Sequence, residues 1–349
     1  MKSTFLHAPG DIRVEETPDP VILASTDAIV RITAACVCGS DLWPYRGVRQ
    51  ISHPISMGHE LVGVVEEVGS AVTSVQAGDF VISPFSFSDN TCQSCRAGFQ
   101  SACDHVAFFG SQDAAGLPTV GAQSELARIP MADGSLVVVP APIDDTLVPS
   151  LLALADVMST GHHAAVSAGV GPGSVVVVVG DGAVGLSGVL AASRLGAERI
   201  IAMSRHQDRA DLARAFGATD VVAERGDEGI ATIGELLGGD LADSALECVG
   251  TEESMDQAIG SVHGGGKVGY VGVPAGGSRL PIGVLFGRNI TVGGGMAPAR
   301  HYIPELLPDV LSGAINPGLV FDLELSLDDA AEGYAAMDER RAIKSLLRP

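Results

Sequence analysis

The chain has 349 residues, 46% of them hydrophobic, and a formal net charge of −21. That length is more than one core comfortably serves and suggests about two domains, while so acidic a chain excludes a nucleic-acid partner, whose affinity rests on Lys and Arg set against phosphates. The most apolar stretches, 147–155 and Val175–Val179, are too short to cross a bilayer, and residues 1–5 lack the apolar run of a signal peptide, so no membrane partner and a cytoplasmic location are expected.

Residues 1 to about 155 read as short strands broken by Gly and Pro. Residues 27–37 are half-apolar and β-branched, Leu61–Val68 is a valine-rich run closed by Gly69-Ser70, and Gly78-Asp79 leads into Phe80–Ser83. Such strands, with no helix-period stripe among them, predict a compact barrel or sandwich. A connection follows at Pro140-Ala141-Pro142, and residues 147–168 turn helical, with Gly161 the one candidate break. Val175–Val179 is an unbroken valine run ahead of Gly180, as in a strand buried on both faces. Ala183, Leu186, Val189 and Leu190 then recur at helix spacing. Strand and helix patterns go on alternating through Arg199–Met203, 208–216, 221–222, 230–237, 245–249, 254–262 and 267–273. Alternation of this kind predicts a parallel, doubly wound sheet, with the glycine-dense 264–277 and 293–295 as turns.

Gly180-Asp181-Gly182-Ala183-Val184-Gly185 stands directly after the buried strand and opens a helix. The first glycine makes the tight turn, the second admits the backbone to a pyrophosphate, and the third lets helix and strand pack closely, so the turn predicts a dinucleotide site. An enzyme using NAD usually ends the next strand in a carboxylate that accepts from the ribose 2′-hydroxyl. Here that position is Ser204, and Arg205 follows. A carboxylate would repel a 2′-phosphate whereas a guanidinium pairs with one, so NADP is expected over NAD. His206 and Arg209 are candidate helpers, although Arg209 reads equally well as a solvated helix residue. The overall acidity means that local basic residues must overcome an unfavourable field.

Cys38-Gly39-Ser40-Asp41 and Gly58-His59-Glu60 bring thiol, imidazole and carboxylate groups close in sequence, a donor mixture that suits zinc. Three of the six cysteines, Cys92, Cys95 and Cys103, fall in a short stretch that starts at Asp89. In a cytosolic chain that spacing reads as a metal clamp rather than a disulfide framework. Cys36 and Cys248 have no such company and read as structural, and so do His162 and His163.

With these motifs in this order, joined by residues 156–161 and Val271-Gly272-Val273-Pro274, the chain resembles the zinc-dependent alcohol dehydrogenases of the medium-chain dehydrogenase/reductase superfamily. The resemblance implies an α/β protein: a GroES-like β-barrel catalytic domain from residues 1–156 and 296–349, and a Rossmann doubly wound parallel-sheet domain binding NADP from 157–295. It implies Cys38, His59 and Asp156 as catalytic zinc ligands, Glu60 as a carboxylate beside the metal, and Asp41 as the group orienting His59. It further implies that Ser40 takes the alcohol proton, that Thr160 lies near the nicotinamide, and that Val271 and Val273 border the cofactor with Gly180, Gly182, Ala183, Val184, Gly185, Ser204, Arg205 and Arg209. Relatives often pass the proton to a His where this chain has Trp43, which carries none, so the relay ends in water or in another group such as His53. Trp43 then lines the substrate pocket, with Phe85, Phe87 and Met296 as further candidates. The structural zinc of the family takes four Cys, and Asp89 stands here at the first position, which leaves Asp89, Cys92, Cys95 and Cys103 as a mixed oxygen and sulfur set. The implied activity is hydride transfer between NADP(H) and a small alcohol, aldehyde or ketone, in a homodimer or homotetramer with 289–293 as an intersubunit strand. A polyol or sugar dehydrogenase, or a non-catalytic NADPH-binding protein, are the alternatives.

Overall fold

A computed structural model describes residues 1–140, 142–274 and 279–349. The chain divides into two compact units, Met1–Asp156 with Pro298–Pro349, and Val157–Ala297.

In the first unit the strand Ala28–Cys36 lies at the centre of a seven-stranded sheet. Leu61–Val68 pairs with it antiparallel, Leu126–Ile129 does the same along its first half, and the C-terminal strand Lys344–Arg348 pairs with its far end. Because side chains alternate across a strand, Ala28, Val30 and Ile32 enter one core, where they meet Val65, Val81 and Ile129. Phe87 is fully buried there, with its ring 4.5 Å from that of Phe109. Cys36 and Val37 close the central strand, so Cys38 emerges from its end while the sheet holds the backbone on either side. The helices of this unit up to residue 136 are four residues long, too short to print a helical period in the sequence.

The helix expected over 147–168 is two helices, Val148–Leu154 and Val157–Ser167. The break falls at Ala155 and Asp156 rather than at Gly161. The Ala155 carbonyl accepts from the Phe85 amide at 3.2 Å, which draws the chain out of helical register and leaves Asp156 between the helices. Gly161 stays helical because it is a contact point: a Cβ there would sit 2.4 Å from the Gly188 nitrogen of the helix packed against it.

The second unit is a six-stranded sheet with every pairing parallel. In space its strands run Asp220–Val222, Arg199–Met203, Val175–Val179, Ala242–Glu247, Val262–Tyr270 and Thr291–Gly294. The chain thus builds outward from the valine strand to one side and then crosses to the other, which puts a topological switch point beside the C-terminal end of Val175–Val179, where open α/β sheets bind ligands. Two expected turns prove to be strand: Gly264–Gly266 belong to Val262–Tyr270 and Gly293–Gly294 to Thr291–Gly294. Glycine serves packing in that sheet, since a Cβ on Gly269 would stand 1.9 Å from the Ala164 carbonyl oxygen of the covering helix. Residues 275–277 of the expected glycine-rich turn lie outside the described residues.

Candidate active site

The end of the central strand and the start of Leu61–Val68 bring the first cluster together. Cys38 opens a short 3-10 turn, Gly39–Asp41, and His59 and Glu60 immediately precede their strand. One donor atom from each of Cys38, His59, Glu60 and Asp156 falls within 4.8 Å of the others. Cys38 Sγ is 3.7 Å from Asp156 Oδ2, and His59 Nε2 is 3.4 Å from the same oxygen and 4.0 Å from Glu60 Oε1.

A shell of buried polar groups fixes these donors. His59 Nδ1 lies 3.4 Å from Asp41 Oδ1, so Nε2 is the nitrogen left for the cluster. Asp41 Oδ2 accepts from the Cys38 amide at 3.0 Å and from Gln123 Nε2 at 3.4 Å. Gln123 is itself held by the Tyr334 hydroxyl, which donates to Oε1 at 3.1 Å. Lys344 donates to Glu60 Oε1 at 2.7 Å and to the Val37 carbonyl at 3.2 Å, and both side chains of this ion pair are buried. Glu60 Oε2 is buried without a partner.

Burial pushes the Cys38 thiol up, against the pull of the Lys344 charge. Burial would lower His59, but Asp41, Cys38 and Asp156 together hold it well above the usual imidazole range. The cluster therefore holds protons that a cation would displace. A soft thiolate, an imidazole, a carboxylate and a spare buried carboxylate oxygen, all converging, fit zinc. The His59 side chain is 21% exposed while Glu60 is sealed, so the cluster has an accessible side.

The second cluster is local. Donor atoms of Asp89, Cys92, Cys95 and Cys103 again lie within 4.8 Å of one another. Asp89 Oδ1 accepts from the amides of Thr91 at 2.7 Å and Cys92 at 3.0 Å, and Oδ2 pairs with His105 Nδ1 at 2.7 Å. Partial burial opposes ionisation of Asp89, but these partners outweigh it and hold the carboxyl well below the usual range. The group is thus a charged oxygen donor, and three thiols with a carboxylate also fit zinc. No disulfide competes for any of the six cysteines.

In the second unit, Gly180 has a φ of +117°, which a side chain would strain. A Cβ on Gly185 would stand 1.9 Å from the Gly180 carbonyl oxygen, whereas one on Gly182 would meet nothing within 4 Å. The turn is closed on its packing side and open on the other, as a backbone cradle for a pyrophosphate requires. Ala183 and Val184 begin the helix Ala183–Arg194, whose first amides have no partner within the helix. Ser204 is buried and donates to Asp181 Oδ2 at 2.8 Å. Arg209, read from the sequence equally well as a solvated residue, is buried, with Nη1 3.4 Å from the Asp181 carbonyl oxygen and 3.6 Å from Oδ1. Arg205 is exposed. Val271 lies just past its strand, its amide donating to the Glu247 carbonyl at 2.9 Å, and Val273 is exposed.

Of the other candidates, Ser40 and Trp43 are half-buried in the turns after Cys38, Phe85 is buried, Met296 is exposed, and Thr160 is buried in Val157–Ser167. His53 is exposed and engages the Pro54 carbonyl at 3.0 Å. Sequence reasoning missed Lys344, Gln123, Tyr334, His105 and Arg225. The first three reach the cluster from far along the chain and have no local signature. Asp181 was in view, but only as a spacer between glycines.

An open glycine turn at the switch point of a parallel sheet, and a thiol–imidazole–carboxylate cluster with an accessible side, define a metal-assisted, dinucleotide-dependent oxidoreductase. Comparison narrows this class. Residues 24–142 match the alcohol dehydrogenase GroES-like domain, and 183–312 match the zinc-binding dehydrogenase family. Zinc-type alcohol dehydrogenase B of Aspergillus flavus is 32% identical over 355 residues, covering 100% of this chain and 81% of that protein. L-idonate 5-dehydrogenase of Vitis vinifera is 31% identical over 329 residues, covering 90% and 86%. Among solved structures, the alcohol dehydrogenase TADH from Thermus sp. ATN1 superposes with a TM-score of 0.90 at 30% identity, covering 100% of this chain and 99% of that one. The chain belongs to the zinc-dependent alcohol dehydrogenase family of the medium-chain dehydrogenase/reductase superfamily, with its GroES-like and Rossmann-type parts, and it is an oxidoreductase of that type. No helix among the described residues is long and apolar enough to cross a membrane.

Proposed function

We propose that the protein transfers hydride between NADP(H) and a small alcohol, aldehyde or ketone, with residues 1–156 and 298–349 carrying the catalytic site and 157–297 the cofactor. The observation that carries this reading is the convergence of Cys38, His59 and Asp156 beside the orphaned oxygen of Glu60. Cys38, His59 and Asp156 would hold a zinc ion, which would supply Lewis acidity toward the alcohol or carbonyl oxygen, and a nicotinamide bound by the second unit would supply the hydride chemistry. The side chains do the rest. Asp41 keeps the His59 ring in register, Lys344 holds Glu60 by one oxygen so that the other stays available, and Ser40 receives the alcohol proton. Trp43 and Phe85 shape the apolar wall, and Thr160 positions the nicotinamide. The Asp89 cluster binds a second zinc that ties its own loop.

NADP is favoured because Ser204 and Arg205 stand where a carboxylate would select NAD, and because buried Arg209 lies beside them. The helix Ile282–Arg288 has no buried residue, and Ile282 and Phe286 are 65% and 86% exposed. It adjoins the last strand of the sheet, Thr291–Gly294, so a second copy pairing there, over the expected 289–293 segment, explains both the apolar helix and the open strand edge. Six free thiols accord with a reducing, cytoplasmic setting.

A polyol or sugar substrate is the second reading, because a dehydrogenase of L-idonate is among the relatives at 31% identity. Zinc-loaded protein assayed with NADP and NAD against secondary alcohols, aldehydes and polyols tests both. Turnover of simple alcohols or aldehydes with NADP is expected. Turnover of polyols alone transfers the case to the second reading, and NADPH binding without turnover of any substrate refutes an enzyme.

A further inference from the structure

Arg199–Met203 and Asp220–Val222 run parallel with Met203 opposite Val222, and the Ser204 amide donates to the Val222 carbonyl at 3.0 Å. The chain therefore leaves the sheet at two neighbouring points, through Ser204 and Arg205 from one strand and through Glu224 and Arg225 from the other. Arg225 is the N-cap residue of the helix Gly226–Leu236. Its side chain is half-buried, and its Nη1 is shut off from water with no hydrogen-bond partner. A charged nitrogen left in that state is costly unless a ligand satisfies it. Burial pushes the Arg225 guanidinium down, with the Asp181 carboxylate drawing it back up and the Arg205 charge pushing it down again.

Arg209 joins the group through its 3.6 Å approach to Asp181. Asp181 is already engaged by Arg209 and by the Ser204 hydroxyl, whereas Arg225 still has an unsatisfied donor. Three guanidiniums and one carboxylate make up this group, a donor-rich set that suits a phosphomonoester, which carries about −1.5 to −2 near neutral pH. Glu224, Asp227 and Glu228 lie beside Arg225 in the chain and offset part of the positive charge, so any attraction acts at short range.

Building on the NADP reading, we propose that Arg225 is a specificity-determining residue, the third guanidinium of a 2′-phosphate site, and that Asp181 opposes it and sets the preference between NADP and NAD. The Asp181 carboxylate repels a 2′-phosphate and accepts from a 2′-hydroxyl; Arg225 does the reverse.

The probes are 2′,5′-ADP and 5′-AMP, which differ in the phosphate at issue, titrated calorimetrically into zinc-loaded wild type and Arg225→Gln, Arg225→Lys, Arg205→Gln and Asp181→Asn. Arg225→Gln is expected to weaken 2′,5′-ADP by about tenfold or more while 5′-AMP stays within about twofold. Arg225→Lys is expected to fall between Arg225→Gln and wild type, and Asp181→Asn to tighten 2′,5′-ADP. Wild-type affinity for 2′,5′-ADP in Arg225→Gln, with loss in Arg205→Gln, overturns the role of Arg225 and spares the NADP reading. Equal affinity of the wild type for both probes overturns that reading and the proposal with it. Loss of both probes in Arg225→Gln and Arg225→Lys alike marks a structural residue and also overturns the proposal.

Discussion

The two donor clusters have similar chemistry and opposite construction. Asp89, Cys92, Cys95 and Cys103 come from one loop, with backbone amides and His105 holding the carboxylate. Cys38, His59, Glu60 and Asp156 come from a strand end, a strand start and a helix break, and their supports, Gln123, Tyr334 and Lys344, reach them from elsewhere in the unit. A loop that supplies its own donors needs little of the rest of the fold to position them. A cluster assembled from distant elements is fixed by the unit around it, and one side of it, at His59, stays accessible. We assign the chemistry to the dispersed cluster and the structural role to the local one on that difference.

Removing a donor from the dispersed cluster should have the greatest effect. Cys38→Ala and Asp156→Ala are each expected to reduce kcat by orders of magnitude with little change in folding, and normal turnover in either would remove the ligand assignment. Cys95→Ser should act the other way, lowering the thermal midpoint while kcat well below that midpoint changes far less; equal loss of kcat would merge the two roles. Asp41→Asn separates support from ligation, because it leaves every donor in place. It should weaken zinc binding at the dispersed cluster by roughly 10–100-fold, as losses of a ligand's hydrogen-bond partner do, measured by competition with a chromogenic chelator. The smallest effect is on pH. Cys38 and His59 hold their protons above their ordinary ranges, and zinc must displace them. Zinc affinity at this cluster should therefore rise with pH through neutrality and fall on acidification, read as the fraction of zinc a chelator removes at each pH. Zinc affinity independent of pH across that range would contradict the assignment.

Much of this was legible in the sequence because it is local. The valine strand, the glycine turn and the loop cysteines each carry their chemistry within a few residues, and the strand–helix alternation set the parallel sheet. The position of Asp156 was legible only through family resemblance, because the helix break that frees it depends on a hydrogen bond from Phe85, on a distant strand turn. Gly264–Gly266 and Gly293–Gly294 read as turns because glycine shows no side-chain alternation and Gly265 and Gly294 do take positive φ, +88° and +129°; that they belong to strands is a tertiary outcome without local trace. Lys344 was invisible for the same reason: in Lys344–Arg348 it reads as a strand-end charge, yet it lies buried against Glu60.

The division of labour between the clusters can be decided by measuring metal content and turnover together on wild type, Asp156→Ala and Cys95→Ser. About two zinc ions per chain are expected in the wild type and about one in each variant, with turnover abolished only in Asp156→Ala. An Asp156→Ala protein that keeps both its zinc and its turnover would overturn that division.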